Sequence, residues 1–412
     1  MTTLRAHPRV QSLPLSTIFV AALMASVPLE NCTVLPAIGS ISRLIGLVAT
    51  GMVVLDAALK LGFRRWHAAY LPLLLFVVWS AWSYIWSVYP PYTRERITTN
   101  LQLLVFVWVI WQAVRNLRDL RVVLQGFVIG ACCAAVWTMV NARDLHAYSG
   151  IRFSGAGSDP NELGLTLVIG MVMAFYISTT SPTSFKRVLW LIPFPLCIVA
   201  VILTVSRSAA IETALALLCI SFWHVMTSSK LRFAPIVGGV VLLAIGAAFV
   251  PKANFRRLST IESEISTGHI GARGQLWKAG IQMFEQRPIL GTGAATFAFA
   301  AEPIIGRDLA AHNTYVSVLT ETGMIGFLLF ATALVTFGLL SLTLRCNERF
   351  LWLIVMLVWG LGVFSLTFEY KKTTWCVFGL LVATSSVSEM APARPRRLRR
   401  MYKQAEMIPA KA

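Results

Sequence analysis

The sequence predicts an all-α, polytopic transmembrane helical bundle of about 12 spans with one long loop containing short helices. Three observations predict it. Of 412 residues, 57% are apolar and 13% charged, with a mean hydropathy of +0.70, a balance that excludes a string of soluble domains or a disordered chain. The apolar stretches run unbroken for ~20 residues where a transmembrane β-barrel would alternate apolar with polar. The basic residues gather in alternate short connections, as they do in helices that cross a membrane back and forth.

Spanning stretches begin near Leu15, Ile38, Ala68, Thr98, Leu120, Glu162, Val188, Ser208, Phe233, Gly323, Phe350 and Thr374. Hydrocarbon offers backbone amides no water, so each stretch is helical. The first follows Arg5 and Arg9 as a signal peptide would, but no small-x-small cleavage site closes it before Glu30, so it reads as an uncleaved anchor.

Alternate connections carry Lys60, Arg64 and Arg65; Arg115, Arg118 and Arg121; Lys186 and Arg187; Lys230 and Arg232; Arg345 and Arg349; then a tail with Arg394, Arg396, Arg397, Arg399, Arg400 and Lys403. With Arg5, Arg9 and Lys411 they put 21 of the 36 basic residues on one side, the cytoplasmic one, together with both termini. The net charge of +18 therefore reports topology and contact with membrane lipids, and no nucleic-acid partner is expected. The opposite side holds one long polar segment from Pro251 to Asn313. Its Lys252, Arg256, Arg257, Arg273, Lys278, Arg287 and Arg307 run against the orientation rule, which fits an anionic ligand there or a solvated loop surface.

Seven cysteines draw no disulfide framework, since only Cys32 sits near an outer loop. No zinc spacing, phosphate-binding loop, dinucleotide turn or D-x-D pair is present in the sequence, so no metal and no cofactor is expected. The sequon Asn31-Cys32-Thr33 is too short a match to carry weight.

Four polar signatures fall on the outer side. Arg152 to Glu162 precedes a span, and Asp159 and Asn161 flank Pro160 in a pattern suited to capping a helix, with anion binding by Arg152 as a further role. Ser206-Arg207-Ser208-Ala209 is a connection so short that Arg207 must stand at the membrane boundary. It either snorkels there or meets an anion such as a lipid phosphate, whose oxygens a guanidinium binds in pairs. Glu212, one turn deeper, is the alternative neutralising partner.

The third signature runs from Gly271 to Gly293. Leu276, Gly280, Met283 and Phe284 share one face of a short amphipathic helix, expected to lie on the membrane surface with Arg273 at headgroup level or as a helix cap. Arg287, before a proline turn, reads as structural. The fourth is Ala311-His312-Asn313-Thr314-Tyr315, with Glu321, Gly323 and Gly326 following. An imidazole there is either a satisfied interfacial residue or a base, with Asn313 able to orient the ring or an acceptor.

In this order the signatures resemble the O-antigen ligase and polysaccharide polymerase superfamily of bacterial envelopes. The matching elements are S-R-S-A at Ser206 to Ala209, R-G-Q-L-W at Arg273 to Trp277, R-P-I-L-G-T-G at Arg287 to Gly293, H-N-T-Y at His312 to Tyr315 and E-T-G-M-I-G at Glu321 to Gly326. The likeness covers roughly residues 152–345. It implies an inner-membrane glycosyltransferase that takes a glycan from undecaprenyl pyrophosphate and passes it to an acceptor hydroxyl at the periplasmic face, without nucleotide or required metal. It implies Arg207 and Arg273 as pyrophosphate ligands, Arg152 as a further one, and His312 as the base.

The implied organisation is 1–150 for about five N-terminal spans, 151–345 for the catalytic region with periplasmic loop 251–313, 346–389 for C-terminal spans and 390–412 for a basic cytoplasmic tail. A lipid A core acceptor, hence a ligase, is the favoured reading over a polymerase whose acceptor is another lipid-linked glycan. A flippase that moves the glycan unreacted is the rival of another class, disfavoured because no internal repeat is visible.

Overall fold

The computed structural model describes residues 13–30, 34–35, 39–143, 159–227 and 272–390. Its helices are α1 (Leu15–Ser26), α2 (Ile41–Asp56), α3 (Leu71–Trp82), α4 (Pro90–Ala113), α5 (Leu117–Arg143), α6 (Pro160–Thr179) and α7 (Ser184–Leu189). Then come α8 (Pro193–Thr204), α9 (Arg207–Thr227), α10 (Ala272–Gln286), α11 (Phe297–Ile305), α12 (Thr314–Thr343), α13 (Cys346–Gly362) and α14 (Lys372–Met390). Extended structure among the described residues is limited to Val34–Leu35 paired antiparallel with Gly39–Ser40.

Seven helical stretches among the described residues are long and apolar enough to cross a membrane. The protein is thus an all-α, polytopic membrane bundle. The shortfall from the expected count has physical causes. Helix α1 has 12 residues and α13 has 17, while α4 spends its first turns on Arg94, Glu95, Arg96, Thr98, Thr99 and Asn100. The stretch expected near Phe233 lies outside the described residues, as do Arg152, most of the loop's early basic residues and the tail.

Helix α6 is the axle of the bundle. Its apolar residues face inward all round, and α5, α8, α9 and α13 pack about it. The basic connections meet at one end: Arg64 donates to Trp111 O and Ser386 Oγ, both at 2.7 Å, and Arg187 Nε donates to Ser181 O at 3.0 Å. The polar signatures meet at the other.

Helix α12 is broken at Gly323, where φ is +66° and ψ −171°. The break admits the turn 287–293: Met324 N donates to Pro288 O at 2.8 Å and Gly293 N to Glu321 O at 2.8 Å. A Cβ on Gly323 would stand 2.2 Å from Ile289 O, so sterics and backbone angle both require glycine. Gly323→Ala is expected to cost more than about 2 kcal/mol and to lower the apparent Tm in detergent. Gly338→Ala on the same helix, with open space about it, is expected to leave Tm unchanged or slightly raised.

Candidate functional site

Several helices begin at this end, and each leaves backbone N–H groups without intrahelical partners and a partial positive charge. Asp159 caps α6, its Oδ1 accepting from Asn161 N at 2.7 Å and Glu162 N at 3.3 Å. Ser206 Oγ accepts from Ala209 N at 3.2 Å at the start of α9 and donates to Asn161 Oδ1 at 2.7 Å, stapling the two helix starts together. The tight reversal from α8 puts Val205 in the left-handed region at φ +50°, and Arg207 becomes the first residue of α9. Arg273 stands in the first turn of α10.

Asn313 is buried and caps α12 through Oδ1, which accepts from Tyr315 N at 2.9 Å and Val316 N at 3.1 Å. Directly before it, His312 is half-buried with φ +46°, a conformation a non-glycine residue holds only when its surroundings impose it. The surroundings do. Trp277 Nε1 donates to Ala311 O at 3.2 Å on one side, and Thr314 N donates to Val363 O at 2.9 Å on the other.

These groups interact electrostatically across the helix starts. Burial, then the Arg273 charge, lower the His312 pKa below its ordinary 6.5, and Asp159 partly opposes them. The shift favours the neutral imidazole. Arg273 exposes surface, yet partial burial lowers its pKa too, with Asp159 acting to raise it and Arg207 to lower it. Arg273 is thus within electrostatic reach of Arg207, His312 and Asp159. Glu212 does not neutralise the group: its carboxyl is buried on α9 without a hydrogen-bond partner, and Asp159 supplies the local negative charge instead.

The remaining signature residues build the scaffold. The amphipathic helix expected on the membrane surface is α10, but protein covers its apolar face: Leu276 and Met283 pack with Phe297, Ala301 and Ala311. Glu321 accepts from Ala295 N at 2.7 Å and Phe297 N at 3.2 Å, anchoring the start of α11. Arg287 donates to Trp86 O at 3.3 Å, in keeping with a structural part.

Sequence reasoning missed the segment Phe368 to Lys372. Glu369 pairs with Arg96 at 3.3 Å and Lys371 with Glu162 at 2.9 Å, while the Arg96 guanidinium lies 3.7 Å from the centre of the Tyr370 ring. Burial works to lower the Lys371 pKa, but Glu162 and its neighbours outweigh it and raise it. Phe368 N donates to Thr314 Oγ1 at 2.9 Å, tying the segment to the residue two places after His312. The signal was present: three charges in five residues between apolar helices, on the side where the orientation rule expects few.

Residues 192–331 match the family model described as O-antigen ligase, a stretch that includes every motif from Ser206 to Gly326. Both this match and the one that follows support the resemblance of the chain to the O-antigen ligase and polysaccharide polymerase superfamily. A curated relative is the exopolysaccharide production protein ExoQ of Rhizobium meliloti (strain 1021), 25% identical over 299 residues. The alignment covers 66% of this chain and 65% of that protein, so the chain spans just under two thirds of the relative's length.

Titration of His312 by NMR, assigned through loss of its signal in His312→Gln, is expected to give a midpoint below pH 6.5. Arg273→Gln removes a charge that lowers this pKa and should move the midpoint up, whereas Asp159→Asn should move it further down.

Proposed function

We propose that this protein transfers a glycan from undecaprenyl pyrophosphate to an acceptor hydroxyl at the periplasmic face of the bacterial inner membrane, with both termini cytoplasmic. The observation that supports the reading is that Arg273, in the first turn of α10, interacts electrostatically both with Arg207 at the start of α9 and with His312 just before α12. Helix starts and guanidinium groups suit a pyrophosphate, whose negative charge grows as it departs. Arg207 and Arg273 bind it. Arg152 is a further ligand in this reading, though it lies outside the described residues.

His312 takes the proton of the acceptor hydroxyl as that oxygen bonds to the anomeric carbon and the bond from that carbon to the pyrophosphate oxygen breaks. Attack opposite the leaving group inverts the anomeric centre. Asn313, by capping α12, positions His312. Asp159 balances the cations and keeps the His312 pKa from falling further.

A lipid A core sugar is the acceptor favoured by the sequence. The likeness to an exopolysaccharide production protein supports a second reading, in which the acceptor is another lipid-linked glycan and the product a longer chain. Gene disruption separates them. Loss of capped lipid A core identifies the ligase, and shortened exported glycan with a fully capped core identifies the polymerase.

Purified protein given lipid-linked donor and acceptor without nucleotide is expected to form product, which a flippase would not. His312→Ala should lower the transfer rate by about 10² to 10⁴ while the protein still inserts. Wild-type rates in that variant would remove the base assignment. The rate should fall as pH drops through the lowered His312 pKa, because protonation removes the base, and Arg273→Gln should shift that acid limb upward.

A further inference from the structure

Beside the Asp159 cluster the bundle opens sideways. A cavity of about 260 Å³ lies among Glu30, Arg43, Gln102, Glu162, Lys371 and Lys372. It runs into a hollow of about 500 Å³ between α1, α2 and α4, the two sharing Arg43, Gln102 and Lys372 along their linings. The walls of the hollow are apolar, with Leu44, Leu47, Leu101 and Val105 exposed on α2 and α4. In a membrane-spanning bundle such a groove faces hydrocarbon, whereas the cavity it leads to is polar.

The charges there do not cancel. Lys371 pairs with Glu162 and Lys372 with Glu30, while Arg43, exposed where the groove meets the cavity, forms no ion pair among the described residues. One cation at the junction of an apolar groove and a polar cavity complements one kind of occupant: a hydrocarbon chain, an anionic linkage and a hydroxyl-rich head. Thr99, Gln102 and Thr166 on the cavity wall offer the neutral donors and acceptors that sugar hydroxyls require.

We infer that this groove and cavity form a second lipid site, which takes a lipid-linked glycan with its chain between α2 and α4, its phosphate at Arg43 and its sugars in the cavity. The site lies next to the pyrophosphate site and is distinct from it. Glu162, on the cavity wall, is in the first turn of the helix that Asp159 caps, and Phe368, on the same wall, bonds to Thr314 just after His312. The Phe368–Thr314 bond links the cavity wall to the chain two residues after His312. The bound glycan's part as the acceptor rests on the proposed glycan transfer, but its binding does not.

The test uses the full chain in nanodiscs of phosphatidylcholine, with a polyprenyl monophosphate-linked sugar as the probe and bound probe counted by native mass spectrometry. Arg43→Gln and the groove-filling Leu47→Trp are each expected to weaken binding about tenfold or more, with Arg43→Lys recovering part of it. Both variants should keep the wild-type Tm, because their side chains face outward, and Arg273→Gln should leave probe binding intact. In transfer assays Arg43→Gln should raise KM for the acceptor with little change in kcat.

Unchanged binding in both groove variants overturns the site. Loss of binding in Arg273→Gln alone overturns it as well, by putting the probe in the pyrophosphate site. Displacement of the probe by an equal concentration of phosphatidylglycerol overturns the sugar headgroup and leaves an ordinary anionic lipid. Wild-type protein that binds the probe but makes no product would instead count against the transfer reading.

Discussion

Positive charge held at the edge of an apolar bundle must be balanced, and the site end of this protein is organised around that requirement. Arg207 and Arg273 stand at helix starts whose free N–H groups add further positive potential. Among the described residues, the Asp159 carboxylate acts on both Arg273 and His312. Burial more than the Arg273 charge lowers the pKa of the neighbouring imidazole.

Rigidity comes from a different set of residues. The break at Gly323 receives the 287–293 turn, and Glu321 anchors α11, so the chain is tied together on both sides of His312. His312 then adopts a left-handed backbone between Ala311, held by Trp277, and Asn313, which caps α12. Strain at one residue persists here because hydrogen bonds on both sides over-determine it. Many of the motif residues thus build the scaffold that holds His312 in place.

A second network of paired charges, from Glu30 through Lys372, Lys371 and Glu162, adjoins the first. Partly buried pairs of this kind contribute little net stability, since desolvation offsets most of their attraction. Their effect is to hold polar groups at a boundary where apolar residues would close the cavity.

The sequence by itself determined the fold class, the basic end of the bundle and the residues of each polar signature. Hydropathy over ~20 residues, alternating charge and cap chemistry are local properties that survive without knowledge of neighbours. The cap at Asp159 was legible for that reason. Its electrostatic reach to His312 and Arg273 was not, because about 155 and 115 positions of chain separate it from them and only the assembled bundle brings them within range. Tertiary structure likewise decided that protein rather than lipid covers the apolar face of α10, that the Glu212 carboxyl is buried without a hydrogen bond, and that Phe368 to Lys372 is tied to the start of α12. Periodicity fixes which face of a helix is apolar, and only the assembled bundle fixes what that face meets.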